Sequence, residues 1–151
     1  MDPATAVGFA ASILTFIDFS WSLVRGSYKV YRSGLGITPD NARISNVIDD
    51  LLEVTEGMEA DIKGQTQHEI ALIKLAQQCK SLSRELSNIL QNLRMKKDTK
   101  WESLKTTWKS MWKEKEVASI AMRLREYREE IVVRLNLMLL SVSLLHIVFP
   151  S

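Results

Sequence analysis

The chain has few of the residues that cross-link or interrupt a fold. One cysteine among 151 residues cannot form an internal disulfide, which excludes a disulfide-stapled secreted scaffold. Three prolines and six glycines, beside 46% hydrophobic and 25% charged residues, exclude collagen-like, low-complexity and disordered classes. Because single domains run to ~100–200 residues, the sequence predicts one globular domain over residues 1–151.

Residues that carry catalytic or metal chemistry are also scarce. His68 and His146 lie far apart and have no Cys, Asp or Glu at metal-ligand spacing. Cys79 stands among apolar residues at helical spacing, which favours a buried thiol over a nucleophile. The adjacent carboxylates at 49–50 and 129–130 diverge on a helix and are typical of solvated charges. We therefore expect no enzyme activity, no cofactor and no metal.

The charge is nearly balanced in total but uneven along the chain. A net charge of +2 is too small to indicate nucleic-acid binding. Between residues 94 and 115, eight basic residues stand against three acidic ones, and between residues 40 and 63, seven acidic residues stand against two basic ones. This segmentation is typical of solvated helix faces that complement each other within a fold, and a partner surface is the alternative.

Apolar residues recur at helical spacing through most of the chain, and no segment alternates with a period of two. Five helices are predicted, at about 3–32, 39–63, 67–93, 100–113 and 116–147. Short turns separate them, so the predicted fold is an all-α bundle of four to five helices with up-down topology and short loops. The uncharged tail at 135–149 is at the margin of a membrane span, and burial in the bundle is the preferred interpretation.

The first helix is apolar on nearly all sides in its first half. No charged residue lies between Asp2 and Asp18, and the uncharged stretch is shorter than the ~20 residues that span a bilayer. Its large apolar residues fall on more than one face, so a bundle is not expected to bury them all. The candidate membrane-insertion residues are Val7, Phe9, Ile13 and Phe16.

The fourth predicted helix interleaves tryptophan with lysine. Its apolar stripe consists of Trp101, Leu104, Trp108, Met111 and Trp112. This spacing favours core packing, while an interfacial membrane helix and a nucleic-acid stacking surface are alternatives. The candidates for contact with lipid head groups or a partner are Lys105, Lys109 and Lys113.

Short segments spread over about residues 1–140 share a pattern of spaced apolar, tryptophan and lysine residues. They are Met1 to Gly8, Ile17 to Phe19 with Trp21, Leu35-Gly36, Leu75 to Leu82, Leu90 to Leu93, Trp108 to Lys113, and Arg123-Leu124. This order of segments resembles the N-terminal helical domain of fungal NACHT-type STAND receptors, which are NLR-like and include the HeLo-like group.

The resemblance implies a non-enzymatic module of fungal immunity, programmed cell death or heterokaryon incompatibility. In such modules, oligomerisation releases an apolar N-terminal helix that attacks the plasma membrane. The implied partners are other copies of the chain, a NACHT receptor or another helical domain, and the membrane, to which a cytoplasmic protein is recruited on activation. The 151 residues contain no NACHT ATPase, so nucleotide binding is not carried over. The alternative function is an interaction or scaffold bundle with no membrane activity.

Overall fold

A computed structural model describes residues 3–31, 36–59, 64, 66–96, 99–111 and 114–148. It confirms the all-α prediction, because these residues form five α-helices and no strand. The helices are α1 (Pro3–Val24), α2 (Ile44–Glu56), α3 (Gln67–Lys96), α4 (Trp101–Met111) and α5 (Lys115–Val148). The helix α1 is central, with α2, α3 and α5 packed against it.

The first and last helices run antiparallel. Asp18 of α1 forms an ion pair with Arg128 of α5. One turn earlier in α5, the Arg125 guanidinium lies 5.8 Å from the centre of the Trp21 ring. Residue numbers therefore rise along α1 as they fall along α5. The start of α1 consequently lies beside the second half of α5.

The helix α3 also runs antiparallel to α5. Glu85, in its second half, forms an ion pair with Arg123 at 2.6 Å. His68, near its start, lies 3.2 Å from Arg134, later in α5, measured from Nδ1 to Nη1. These directions agree with the predicted up-down arrangement.

The helix α1 ends at Val24, so its predicted extension to residue 32 is wrong. Gly26 has a φ of +78°, a left-handed conformation that glycine adopts without a side-chain clash. Its N–H donates to the Leu23 carbonyl at 2.9 Å, and the Ser27 N–H donates to the Ser22 carbonyl at 2.9 Å. This is the hydrogen-bond pattern that closes helix C-termini.

The predicted helix at 39–63 is divided into a short 3-10 helix at Pro39–Asn41 and the α-helix α2. Between them the backbone of Ala42 is extended, and its carbonyl accepts a hydrogen bond from the Trp101 N–H at 2.8 Å. This pairing joins the starts of α2 and α4 and prevents one continuous helix. Residues 60–63 lie outside the described part of the chain.

The remaining three helices agree with their predicted bounds to within about three residues. The apolar stripe of α3 is buried as predicted: Leu72, Leu75, Ala76, Cys79, Leu82, Leu86, Ile89, Leu90 and Leu93. It packs in one core with the apolar faces of the other helices. The sequence periodicity therefore predicted correctly which face of α3 points inward.

Candidate membrane-active site

The four candidate insertion residues of α1 lie in the core or at its edge. Ile13 and Phe16 are fully buried, Phe9 is 7% exposed, and Val7 packs partly buried against the same core. Three of the four are therefore buried, and the expectation that a bundle cannot bury them all holds for Val7 alone. The physical reason is the central position of α1, which gives several of its faces a neighbouring helix.

The outward face of α1 consists of small or polar residues. They are Ala4, Thr5, Gly8, Ala11, Thr15 and Asp18. The Ser12 and Thr15 hydroxyls donate to carbonyls one turn earlier, at 3.1 and 2.9 Å. The all-round apolar composition of this helix thus arises from large residues inside and small residues outside. In the bundle, α1 therefore presents no large apolar surface to a membrane.

The C-terminal end of α1 is fixed by the tryptophans of α4. The Trp108 indole N–H donates to the carbonyls of Leu23 and Val24, at 2.8 and 3.1 Å. Its ring packs edge-on against Trp101, with the ring centres 5.3 Å apart. Both rings are buried, as is Leu104. The core interpretation of the tryptophan stripe is confirmed for these residues, and Trp112 lies outside the described residues.

The candidate lysines lie far from the start of α1. Lys109 is exposed and lies over Gly26, beyond the C-terminal end of α1. Lys105 has its Nζ 3.9 Å from Glu102 of the same helix, and Lys113 falls outside the described residues. With a rise of 1.5 Å per residue, the 15 residues from Phe9 to Val24 span about 22 Å. The structure therefore does not bring the lysine and insertion candidates together.

The sequence interpretation missed the burial of the Asp50 carboxylate. Asp49 is exposed as predicted, but Asp50 is only 3% exposed. It accepts hydrogen bonds from the Tyr28 hydroxyl and, at 3.0 Å, from the Tyr31 backbone N–H. The available signal was its position three residues after Val47, on the apolar face of α2. Asp50 attaches the segment after α1 to the bundle.

Cys79 is the buried, unreactive thiol that the sequence predicted. Burial, with a smaller contribution from the Glu130 carboxylate, raises the pKa of this thiol to about 12. A thiol with this pKa stays protonated at neutral pH and is a poor nucleophile. Within the described ranges, no group of three or more His, Cys, Asp or Glu residues is placed to hold a metal ion.

The second half of α5 is exposed, and the preferred interpretation that the tail is buried is therefore wrong. Met138 is buried, but most large apolar side chains around it are in solvent: Leu137, Leu139, Leu140, Leu144, Ile147 and Val148. The helix α5 is 34 residues long, against 22 for α1. His68, at the start of α3, lies beside Arg134, so α3 does not extend along the residues that follow.

Among the described residues, two helices are long and apolar enough to cross a membrane by length and composition. The first is Ala4–Val24, whose most apolar window has a mean hydropathy of 1.6 and is 50% buried. The second is α5, whose corresponding window has a mean hydropathy of 2.1 and is 12% buried. A core helix passes the same test, so composition is weak support by itself. The difference in burial separates the two helices.

No protein-family model matches the chain, and no curated protein or solved structure shows significant similarity to it. The resemblance to HeLo-like domains stays a prediction. A function is therefore argued from the bundle and its surfaces.

Proposed function

We propose that the chain is a non-enzymatic signalling module that acts on membranes by releasing α1 from its bundle. The observation that carries this proposal is the position of α1, whose uncharged first half keeps its large side chains in the core. Release exposes Phe9, Ile13 and Phe16 to water. Transfer of these side chains into lipid then becomes favourable, by ~0.8 kcal/mol for each CH2 group.

On the resemblance to HeLo-like domains, the proposal includes a fungal setting for the module. There it would act in immunity, programmed cell death or heterokaryon incompatibility, as the N-terminal domain of a NACHT-type receptor or beside one. The proposed activating event is homo-oligomerisation. The other proposed partners are a NACHT receptor or another helical domain, and the plasma membrane, which recruits a cytoplasmic protein. Nucleic acid has no part in this proposal.

The polar contacts of α1 that activation has to break in this scheme include two that join it to α5 and α4. One is the exposed ion pair between Asp18 and Arg128, which is worth at most ~1 kcal/mol. The other is the buried donation from Trp108 to the last turn of α1. Apolar packing of the buried side chains adds the larger part of the cost. Oligomerisation must therefore offset several kcal/mol before α1 leaves the core.

The test places a charge on the outward face of α1. Ala11 is exposed in the bundle, so Ala11→Asp is compatible with the folded state. In an inserted α1 the same charge costs at least ~2.5 kcal/mol. Ile13 is unsuitable for this test, because a charge at a fully buried position unfolds the bundle. The matched control is Ala118→Asp, at an exposed alanine of α5.

Dye release is measured from anionic phospholipid vesicles, with the chain fused to an oligomerisation domain. Ala11→Asp should reduce release at least tenfold, while Ala118→Asp releases dye like the unmodified chain. Circular dichroism and the urea midpoint verify that both variants are folded. Release at the unmodified level by folded Ala11→Asp contradicts the proposal. Intact vesicles with the unmodified, oligomerised chain also contradict it and favour the alternative, a scaffold bundle without membrane activity.

A further inference from the structure

In the described part of the chain, the acidic and basic segments form no ion pair with each other. The acidic segment is residues 40–63 and the basic segment is residues 94–115. Between described residues, one ion pair lies within α4, and the other two join α5 to α3 and to α1. The complementary packing of the two segments within the fold is therefore not formed by direct pairs. This result favours the alternative, a partner surface.

The acidic segment presents a stripe of carboxylates on the outward face of α2. Asp49, Glu53 and Glu56 follow each other at intervals of four and three residues, which places them on one face of a helix. Leu51 and Val54 are buried on the opposite face, whereas the three acids are exposed or partly exposed. At 1.5 Å per residue, the stripe is about 10 Å long. We call these three residues the acidic stripe.

Exposed cations gather at the end of the bundle where α2 and α4 begin. Arg43 and Lys100 lie opposite each other in an antiparallel bridge, and the residues on either side of them form the hydrogen bonds. In such a pair the Cα atoms are only about 4.5 Å apart. Arg94 and Lys96 lie in the last turn of α3, and the chain from 96 to 100 spans at most ~14 Å. We call these four residues the basic end.

The basic end has no anionic partner among the described residues. All four side chains are exposed, and none forms an ion pair within the described ranges. Like charges held directly opposite each other in an antiparallel pair are destabilising. An anionic surface beside Arg43 and Lys100 would offset this repulsion. The acidic stripe of a second copy is such a surface, because its three carboxylates lie close together and face away from their own core.

The two surfaces fit a head-to-tail contact better than a symmetric one. A two-fold pairing of α2 with α2 would bring Asp49 and Glu53 of one copy against the same acids of the other, which is repulsive. On the α3 side of the stripe, Lys80 and Arg84 line a cleft with Leu52. Successive helical residues are about 100° apart, so Glu53 lies on the other flank. A basic partner therefore reaches the stripe from the Glu53 side.

We propose that the basic end of one copy binds the acidic stripe of the next copy. This inference rests on the proposed function, in which homo-oligomerisation activates the chain, and it names the two surfaces that meet. Because the surfaces differ, each added copy leaves one of each kind free, so assembly continues past a dimer to a ring or a filament. The contact is electrostatic, and salt weakens it.

The test is a charge swap followed by sedimentation velocity. The first variant combines Asp49→Lys with Glu56→Lys, and the second combines Arg43→Glu with Lys100→Glu. All four positions are exposed, and Arg43 binds Asn46 through its backbone N–H, so both variants keep their fold, which circular dichroism verifies. The unmodified chain should form assemblies larger than a dimer at about 0.05 M salt and be monomeric at about 0.5 M. Each variant alone should associate at least tenfold more weakly.

An equal mixture of the two variants should associate again. The unchanged basic end of the first variant meets the unchanged acidic stripe of the second, and the two altered surfaces are complementary as well. The matched control combines Glu126→Lys with Glu129→Lys, at exposed acids of α5, which changes the net charge by as much as the first variant does. This control should associate like the unmodified chain.

An unmodified chain that is monomeric at low salt overturns the proposal, as does an assembly that stops at a dimer. Swapped variants that associate as well as the unmodified chain overturn it too, and so does a mixture that stays monomeric. A control that loses association to the same extent also overturns it, because net charge alone then decides.

The dye-release test supplies its own oligomerisation domain, so its result does not depend on this interface. A monomeric chain that releases dye once it is fused to that domain therefore overturns the interface and leaves the release of α1 standing. Salt-sensitive assemblies of a chain that releases no dye when fused support the interface and contradict the release of α1.

Discussion

Trp108 and Trp101 are neighbouring buried indoles with different polar contacts. The Trp108 N–H donates to two carbonyls of α1, whereas the buried Trp101 N–H has no acceptor among the described residues. We expect Trp108→Phe to lower the free energy of unfolding by about 1–3 kcal/mol more than Trp101→Phe, the usual cost of leaving buried polar groups unpaired. Urea denaturation followed by circular dichroism measures both. Equal losses would mean that the two hydrogen bonds contribute nothing.

Glu85 gives the stability a pH dependence. The Arg123 guanidinium donates to both of its carboxylate oxygens, at 2.6 and 2.9 Å, and these hydrogen bonds hold the pKa of Glu85 below its ordinary value. Because the pKa is lower in the folded chain, the pair stabilises the fold above the unfolded pKa of about 4.3 and loses this effect as the pH falls through the folded pKa.

Glu85→Gln should therefore cost up to about 1 kcal/mol at pH 7, a value limited by the partial exposure of the pair. The difference from the unmodified chain should vanish in acid, below the folded pKa. Urea midpoints measured between pH 7 and pH 3 test this, with the exposed Glu129→Gln as the control. A difference that stays constant down to pH 3 contradicts an ionised pair.

Single residues differ in how far the sequence predicts them. Periodicity identified Cys79 and Leu86 as buried, because an apolar side chain needs only a position on the inward face. The partners of Asp50 and Glu85 lie 19 to 38 residues away in sequence. No local pattern encodes such a pairing, so the buried carboxylate and the interhelical ion pair required the folded structure.

Replacement by alanine should change the stability in opposite directions at two glycines, one within α1 and one just after it. Gly26, just after α1, has a positive φ, so Gly26→Ala should cost about 1–2 kcal/mol. Gly8, within α1, has no atom within 4 Å of an added Cβ, so Gly8→Ala should stabilise the chain by about 0.5–1 kcal/mol. Thermal unfolding of both variants compares them directly. Stabilisation by Gly26→Ala would contradict the observed end of α1.

Helix bounds were predicted less well than helix number. The apolar period continued from α1 through Tyr28 and Tyr31, although the chain leaves the helix at Gly26. Tyr28 is nevertheless buried, because its hydroxyl and the following backbone bind Asp50. A non-helical segment can thus contribute side chains to the core at spacings that imitate a helix. The periodicity of apolar residues indicates which side chains are buried, and it indicates the backbone conformation only indirectly.

The whole bundle has two chemically different ends. The start of α1 and the end of α5 form an uncharged end, while α4 with Lys105 and Lys109 lies about 22 Å away along α1, more than the ~10 Å Debye length of 0.1 M salt. Because the proposed function brings the start of α1 to the lipid, Lys105→Glu combined with Lys109→Glu should change binding to anionic vesicles less than twofold. Flotation at 0.1 M salt measures this. A loss of tenfold or more would show that α4 faces the lipid instead.

The placement of these two ends was beyond the sequence. Both apolar segments and the lysines were visible as composition, but their arrangement depends on the antiparallel pairing of α1 with α5 and on the attachment of α4 to the last turn of α1. The exposed end of α5 was mispredicted for the same reason. The hydrophobicity of a segment shows that the segment avoids water. Whether protein covers that segment depends on where the neighbouring helices begin and end.

The pairing of α1 with α5 also affects how the chain folds during synthesis. Asp18 and Arg128 are separated by 110 residues, so the face of α1 that packs on α5 stays uncovered until α5 has been made. At ~5–20 residues per second, this delay is roughly 5–20 s. Such distant pairings slow folding and leave apolar surface exposed to aggregation. The nascent chain should therefore depend on chaperones that bind the start of α1 until α5 has been translated.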